Sequence, residues 1–208
     1  MAAAVAVVPA TVATAKAAKT TQVTATQSTP STALSPATSA AGCPTVATAQ
    51  VFKAFGDTAS YAAVIGGNME TSDGWLLYGS SYVLGNDSYF LSAATDRYSL
   101  KLPSGSLANA PWLCTGSAFP TARLMVKNIG AASGTLRVDA QYIDATSGVI
   151  GNVHIADISA TSVWSPSPIL ALPLPTGADQ YRLNFMPQGT GASFQIDDLF
   201  VDPMRTLK

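Results

Sequence analysis

This sequence has little charge, and that excludes several functions at once. Only 11% of its 208 residues are charged and the formal net charge is −1, against about a quarter charged in an ordinary globular chain. No basic face is available to follow a phosphate backbone, so nucleic acid is not an expected partner. Glu70 is the only glutamate and His154 the only histidine. A Ser-His-Asp triad would have to use His154, which lies in a β-like run, Val153-His154-Ile155, and no Gly-x-Ser-x-Gly occurs. The two cysteines, Cys43 and Cys114, are too few for a structural zinc site and form no Cys-x-x-Cys. The turn Gly189-Thr190-Gly191 lacks the Lys-Ser/Thr that a phosphate loop needs. The apolar run Ala2 to Ala15 is too short, and too broken by Pro9, to span a membrane.

What is present divides into two parts. Residues 1–42 are dominated by Ala, Val, Thr, Ser and Pro, with no aromatic and no acidic residue. Such a segment cannot bury enough surface to offset its ordering entropy. Ala2 to Ala15, ending in Ala13-Thr14-Ala15, resembles the apolar core and small-residue cleavage site of a secretory signal, without the basic leading region. Residues 19–42 read as a Thr/Ser/Pro linker. Export places the two cysteines in an oxidising compartment, where Cys43 and Cys114 would pair. That closes a loop of about 70 residues and stabilises by roughly 4 kcal/mol. The alternative is two unrelated buried thiols. The expected organisation is an export-signal remnant and linker over 1–42 and one domain over 43–208, secreted or held at the cell surface.

From Cys43 onward the pattern is that of strands. Short runs at Val51–Phe55, Tyr61–Val64, Trp75–Tyr78, Ser81–Leu84, Ser88–Leu91 and Tyr98–Leu102 are divided by glycine turns. A long loop follows from Ser104 to Pro120. In Thr135–Tyr142, the residues Leu136, Val138, Ala140 and Tyr142 share one face. In Gln180–Met186, Tyr181, Leu183 and Phe185 face inward, with Arg182 and Asn184 outward. Phe194–Val201 closes the set, and no stretch has a helical period. Many short strands with Gly/Pro turns predict an all-β antiparallel sandwich.

Several motifs, in order, strengthen this. Gly67-Asn68-Met69-Glu70, then Gly74-Trp75, Ser99-Leu100, and the closing Phe194-Gln195-Ile196-Asp197-Asp198-Leu199 are similar to the jelly-roll, galactose-binding-like carbohydrate-binding modules of secreted bacterial glycoside hydrolases. Met69 stands where those modules usually have an aromatic. The resemblance implies a jelly-roll sandwich and a structural calcium ion, with Glu70 and Asp197 or Asp198 as ligands and backbone carbonyls completing the shell. Hard-cation chemistry agrees, since Ca2+ takes six to eight oxygens. Read from the residues alone, Asp197-Asp198 could equally be a solvated edge pair or a bulge.

A glycan partner would need exposed aromatic faces, and these follow no fixed motif. Trp75 reads as core and Trp112 as packing over the disulfide. Trp164, Tyr82 and Tyr89 are the candidates for a platform. The expected function is a secreted, non-catalytic, monomeric module binding polysaccharide. The alternative is a structural or adhesive extracellular protein of the same fold. A small glycoside hydrolase, with Glu70 and an aspartate as its carboxylate pair, stands third.

Overall fold

The computed structural model describes residues 46–87, 89, 91–114 and 121–202, and most of the anticipated runs there are strands. In chain order they are β1 (Ala62–Ala63), β2 (Leu76–Tyr78), β3 (Ser81–Leu84), β4 (Tyr98–Leu102), β5 (Leu107–Asn109), β6 (Leu113–Cys114), β7 (Thr121–Asn128), β8 (Thr135–Asp144), β9 (Ile150–Ile158), β10 (Ser165–Pro166), β11 (Leu170–Ala171), β12 (Ala178–Gln188) and β13 (Phe194–Asp202). Every pairing among them is antiparallel.

The strands form two sheets. One runs β10-β7-β13-β4-β3, with β1 and β11 attached to β13 and β7. The other runs β2-β5-β12-β8-β9, with β6 attached to β12. The anticipated alternation is what packs them together. Leu136, Val138 and Ala140 of β8 and Tyr181, Leu183 and Phe185 of β12 are buried in one core with Leu100, Leu102, Leu124, Val126, Phe194 and Ile196 of the larger sheet. Trp75 joins them, stacked on Phe185 with ring centroids 6.2 Å apart, its indole N–H donating to the Gly66 carbonyl at 3.1 Å. The expected all-β sandwich is the observed architecture, and the described residues belong to one compact unit. The expected boundary at residues 42–43 lies outside the described residues.

Three local expectations differ. Val51–Phe55 is not a strand: Lys53–Phe55 is a single 3-10 turn ended by Gly56 in the left-handed region (φ 80°). Its aromatics lie three residues apart, which places both on one side of such a turn. Phe52 packs edge-on to Tyr61 and Phe200, at 5.2 and 5.7 Å, over the outer face of the larger sheet. There Arg123 lies 5.0 Å above the Phe52 ring and bonds Asp57 at 2.8 Å. Second, the long loop after Ser104 contains β5 and β6, both paired with β12. Third, of the two residue-level readings of Asp197-Asp198, the solvated edge pair is excluded and the bulge is observed. β13 lies between β7 and β4, and eight of its nine residues are buried.

β13 also breaks its own period. Its register with β7 shifts between Asp197 and Phe200, and Asp198 takes a positive φ of 48°. An aspartate tolerates that conformation because its short polar side chain can bond locally. At this bulge the chain 64–67 comes close: Leu199 N–H donates to Gly67 O at 2.9 Å, and Val64 N–H to Leu199 O at 3.1 Å. A β-carbon on Gly67 would stand 2.6 Å from the Leu199 carbonyl oxygen and 2.9 Å from that of Val64. Both obstacles are backbone. Gly67→Ala is therefore expected to destabilise the domain by about 1–3 kcal/mol, read as a lower urea midpoint with an unchanged slope.

Candidate functional site: a polar row on the six-stranded sheet

Alternation that buries one face of β12 and β8 turns the other face outward. Asn184 lies between core residues Leu183 and Phe185, Asp139 between Val138 and Ala140, and Asn109 between Ala108 and Ala110. These three polar residues therefore point away from the core. Strand register aligns them: Leu76 opposes Asn109, Asn109 opposes Asn184, Asn184 opposes Asp139, and Asp139 opposes His154. A second row lies two residues along, where Arg182 opposes Gln141 and Gln141 opposes Asn152. Adjacent members of a row stand one strand apart, about 4.8 Å.

Outward-facing polar side chains are ordinarily solvated, and these are not. Asn109, Asn184 and Asp139 are 6%, 8% and 3% exposed. Asp139 is fully engaged: Arg137 Nε donates to both its oxygens at 2.9 and 3.0 Å, Asn152 Nδ2 donates at 3.4 Å, and His154 Nδ1 lies 2.9 Å from Oδ1. Burial pushes the Asp139 carboxyl up, but the bonds from His154, Arg137 and Asn152 outweigh it and hold the group below its usual range. An ionised carboxylate only accepts, so the His154 proton sits on Nδ1. The two asparagines are the opposite case. The side-chain carbonyl oxygens of both Asn109 and Asn184 are buried with no hydrogen-bond partner. No described group donates to either oxygen.

The second row is held in place. Arg182 Nε donates to Gln141 Oε1 at 2.8 Å, and its guanidinium carbon lies 4.6 Å from the centre of the Trp112 ring. Trp112 thus packs on Arg182, brought there because β6 pairs with β12 at Leu113 and Cys114.

The three aromatics expected to form a platform are not on this sheet, and Tyr82 stands apart from the other two. Tyr82 is in β3, opposite fully buried Leu100, and packs against the main core. Its hydroxyl is buried without a partner, and burial followed by nearby Asp73 pushes it up to about 12. Trp164 precedes β10 at the opposite side of that sheet; it is half-buried, with Lys127 Nζ 4.7 Å from its ring. Tyr89 is half exposed and stands edge-on to Phe55 at 5.1 Å. Through Phe55, Tyr89 shares the small outer cluster with Trp164, while Tyr82 does not.

The expected acidic residues are only partly brought together. The β13 bulge turns both Asp197 and Asp198 against residues 86–96. Asp87 N–H donates to Asp197 Oδ2 at 3.2 Å, Asp198 N–H to Asp197 Oδ1 at 2.8 Å, and the Ser92 hydroxyl to Asp198 Oδ1. The third carboxylate of the group is Asp87, 1% exposed, which the sequence reading did not select. Glu70 stands outside it, accepting the Arg97 and Tyr98 backbone N–H groups at 2.6 and 2.7 Å. Asp96 lies between, raised by burial and by both Glu70 and Asp87. Among the described residues, no three His, Cys, Asp or Glu side chains converge at metal-ligand spacing. Cys114 ends β6 opposite Gln180; Cys43, its expected disulfide partner, lies outside the described residues.

No family model matches this chain, and no curated protein matches it. Among solved structures it is similar to the C-terminal family 22 carbohydrate-binding module of Clostridium thermocellum xylanase 10B, with 17% identity, 68% of this chain and 94% of that chain covered, and a TM-score of 0.46. It is similar too to the CBM22-1 xylan-binding domain of Paenibacillus barcinonensis xylanase 10C, at 12% identity over 64% of this chain and 86% of that one, TM-score 0.46. A third is TmCBM61 in complex with β-1,4-galactotriose, at 13% identity over 67% and 96%, TM-score 0.43. This chain spans 26% of the length of the Clostridium thermocellum chain that joins CBM22-1 to a GH10 module.

The acid group generates a pH dependence. Burial, then Asp198 and Asp87, push Asp197 up to about 9; burial and the neighbouring aspartates push Asp198 up to about 7, against an ordinary 3.8. Between about pH 4 and pH 9 the folded state then holds more protons than the unfolded state, so stability falls as pH rises. In chelator, the melting temperature is expected to drop steadily from pH 5 to pH 9, and Asp198→Asn to flatten the slope. A melting temperature that rises over that range contradicts this.

Proposed function

We propose that the domain is a non-catalytic carbohydrate-binding module, exported from the cell, whose ligand lies across the polar row of the six-stranded sheet. The observation that supports it most is the pair of buried, unpartnered side-chain carbonyl oxygens of Asn109 and Asn184 on an outward face. Leaving a buried polar group unsatisfied costs about 1–3 kcal/mol. A glycan hydroxyl, both donor and acceptor, would offset that cost on binding. From β5 across to β9 the row offers one polar side chain per strand, a spacing close to the length of one pyranose unit. Asp139 cannot serve as the proton donor of a glycosidase, because its bonds to His154, Arg137 and Asn152 keep it ionised. Asp197 and Asp198, at 2% and 4% exposure, are buried against Asp87 and Ser92 rather than set in a cleft.

The same reading gives the buried acids a structural role. Asp87, Asp197, Asp198 and the Ser92 hydroxyl offer oxygens of the kind Ca2+ takes, but as placed they do not converge at ligand spacing, so the ion would have to draw them together while displacing the protons these crowded carboxyls otherwise hold. Glu70 supports the cluster from outside, through residues 97 and 98. The Cys43–Cys114 disulfide belongs to this proposal as well, as a staple at the start of the domain.

The test is a glycan array followed by calorimetry on the full chain, comparing the wild type with Asn184→Ala. Saturable binding to one glycan class, weakened about tenfold or more by Asn184→Ala at a melting temperature no lower than that of the wild type, is the expected result. Added calcium should raise the melting temperature of the wild type and do nothing for Asp198→Asn. Binding that is indifferent to Asn184 moves the site elsewhere. Absence of binding to every glycan favours a structural or adhesive role.

A further inference from the structure

Resting on the reading of the polar row as a glycan site, we propose that its ligand is an acidic polysaccharide, whose uronate carboxylates are taken by Arg182. Arg182 is placed as a binding cation rather than a structural one. The other arginines with described partners are neutralised: Arg123 by Asp57 at 2.8 Å and Arg137 by Asp139 at 2.9 Å. Arg182 instead is held by neutral groups. Its Nε bonds the Gln141 amide oxygen, and its guanidinium carbon lies over the Trp112 ring. Among the described residues its two terminal nitrogens have no hydrogen-bond acceptor and no carboxylate.

That arrangement matters chemically. A guanidinium presents parallel N–H donors that match a carboxylate in bidentate fashion. Holding Arg182 by Nε and by the indole stack removes much of the side-chain entropy that binding would otherwise cost, while leaving the outer edge of the fork unused. Arg182 and Asn184 lie two residues apart on the outward face of β12, about 7 Å along the strand. One sugar residue can therefore set its hydroxyls over Asn184 and Asn109 and direct a carboxylate at Arg182. The indole also gains from the cation above it, so the Arg182–Trp112 stack fixes each partner for the other.

The experiment compares polygalacturonate, its fully methyl-esterified form, neutral xylan and galactan, and a sulfated glycan, by affinity electrophoresis and calorimetry on the full chain. Wild type is expected to bind polygalacturonate about tenfold more tightly than its methyl ester, the difference that one charge-assisted pair supplies. That preference should shrink with added salt. Arg182→Gln should erase it, Arg182→Lys should restore only part, and Asn184→Ala should weaken both ligands alike. Asn184-dependent binding to neutral glycans without preference for the free acid overturns the uronate assignment and leaves the module reading standing. Tighter binding of the sulfated glycan than of polygalacturonate also overturns it. Lack of binding to all of them removes the module reading and this inference together. The ester comparison uses wild type alone, so it decides the question even where an Arg182 variant fails to fold.

Discussion

The pleat of β12 is the constraint on which the rest of the molecule depends. Tyr181, Leu183 and Phe185 are buried in the core, and because strand side chains alternate, Arg182 and Asn184 have no choice but to face outward. The long register with β8, from Ala178 opposite Asp144 to Gln188 opposite Thr135, holds that choice over the whole strand. A slip of one residue would exchange the two faces entirely. Fully burying each large apolar side chain is worth about 1.5–3 kcal/mol, so three of them outweigh the cost of two unsatisfied amides on the reverse face. The core therefore sets which side chains the outer face of this sheet carries.

β13 shows the same rule broken to a different end. Its bulge lets consecutive aspartates turn toward one segment, where regular pleating would have sent them to opposite faces. Residues 86–96 are tied down through this acid group: Asp87 and Ser92 bond Asp197 and Asp198, and Asn86 and Ala93 bond Asp96. This segment joins β3 to β4, so the charge state of the acids acts on the larger sheet. The polar row lies on the other sheet. The buried acids and the polar row are thus carried by separate sheets, the first on β13 and the second across β12.

The two layers were legible because long strands advertise their period. Leu136, Val138, Ala140 and Tyr142, and Tyr181, Leu183 and Phe185, each read as one face, and the structure places them so. Val51–Phe55 was misread because aromatics and a β-branched residue favour strands, while tertiary packing against Phe200 and Tyr61 favours a tight turn. Asp197-Asp198 was legible as an unusual pair, but its partner Asp87 lies 110 residues away and no local pattern connects them. The aromatic candidates converge only in part: Trp164 and Tyr89 meet at the outer cluster through Phe55 while Tyr82 packs on the main core, a division that topology sets and no local pattern carries. Topology also brings Trp112 to Arg182, through a two-residue strand hidden in what read as loop. The outward positions of β8 and β12 did hold a signal, being amides, arginine and aspartate rather than the Lys, Thr and Glu of an ordinary solvated face.

The most direct measurement is a titration of the 15N-labelled protein with a soluble oligosaccharide from the glycan class it binds, following side-chain amide signals. The two NH2 pairs of Asn109 and Asn184 are expected to shift and sharpen together, with the Trp112 indole signal moving alongside and the residues around Trp164 and Tyr89 unchanged. Shifts confined to Trp164 and Tyr89, with both asparagine amides still, would contradict the account.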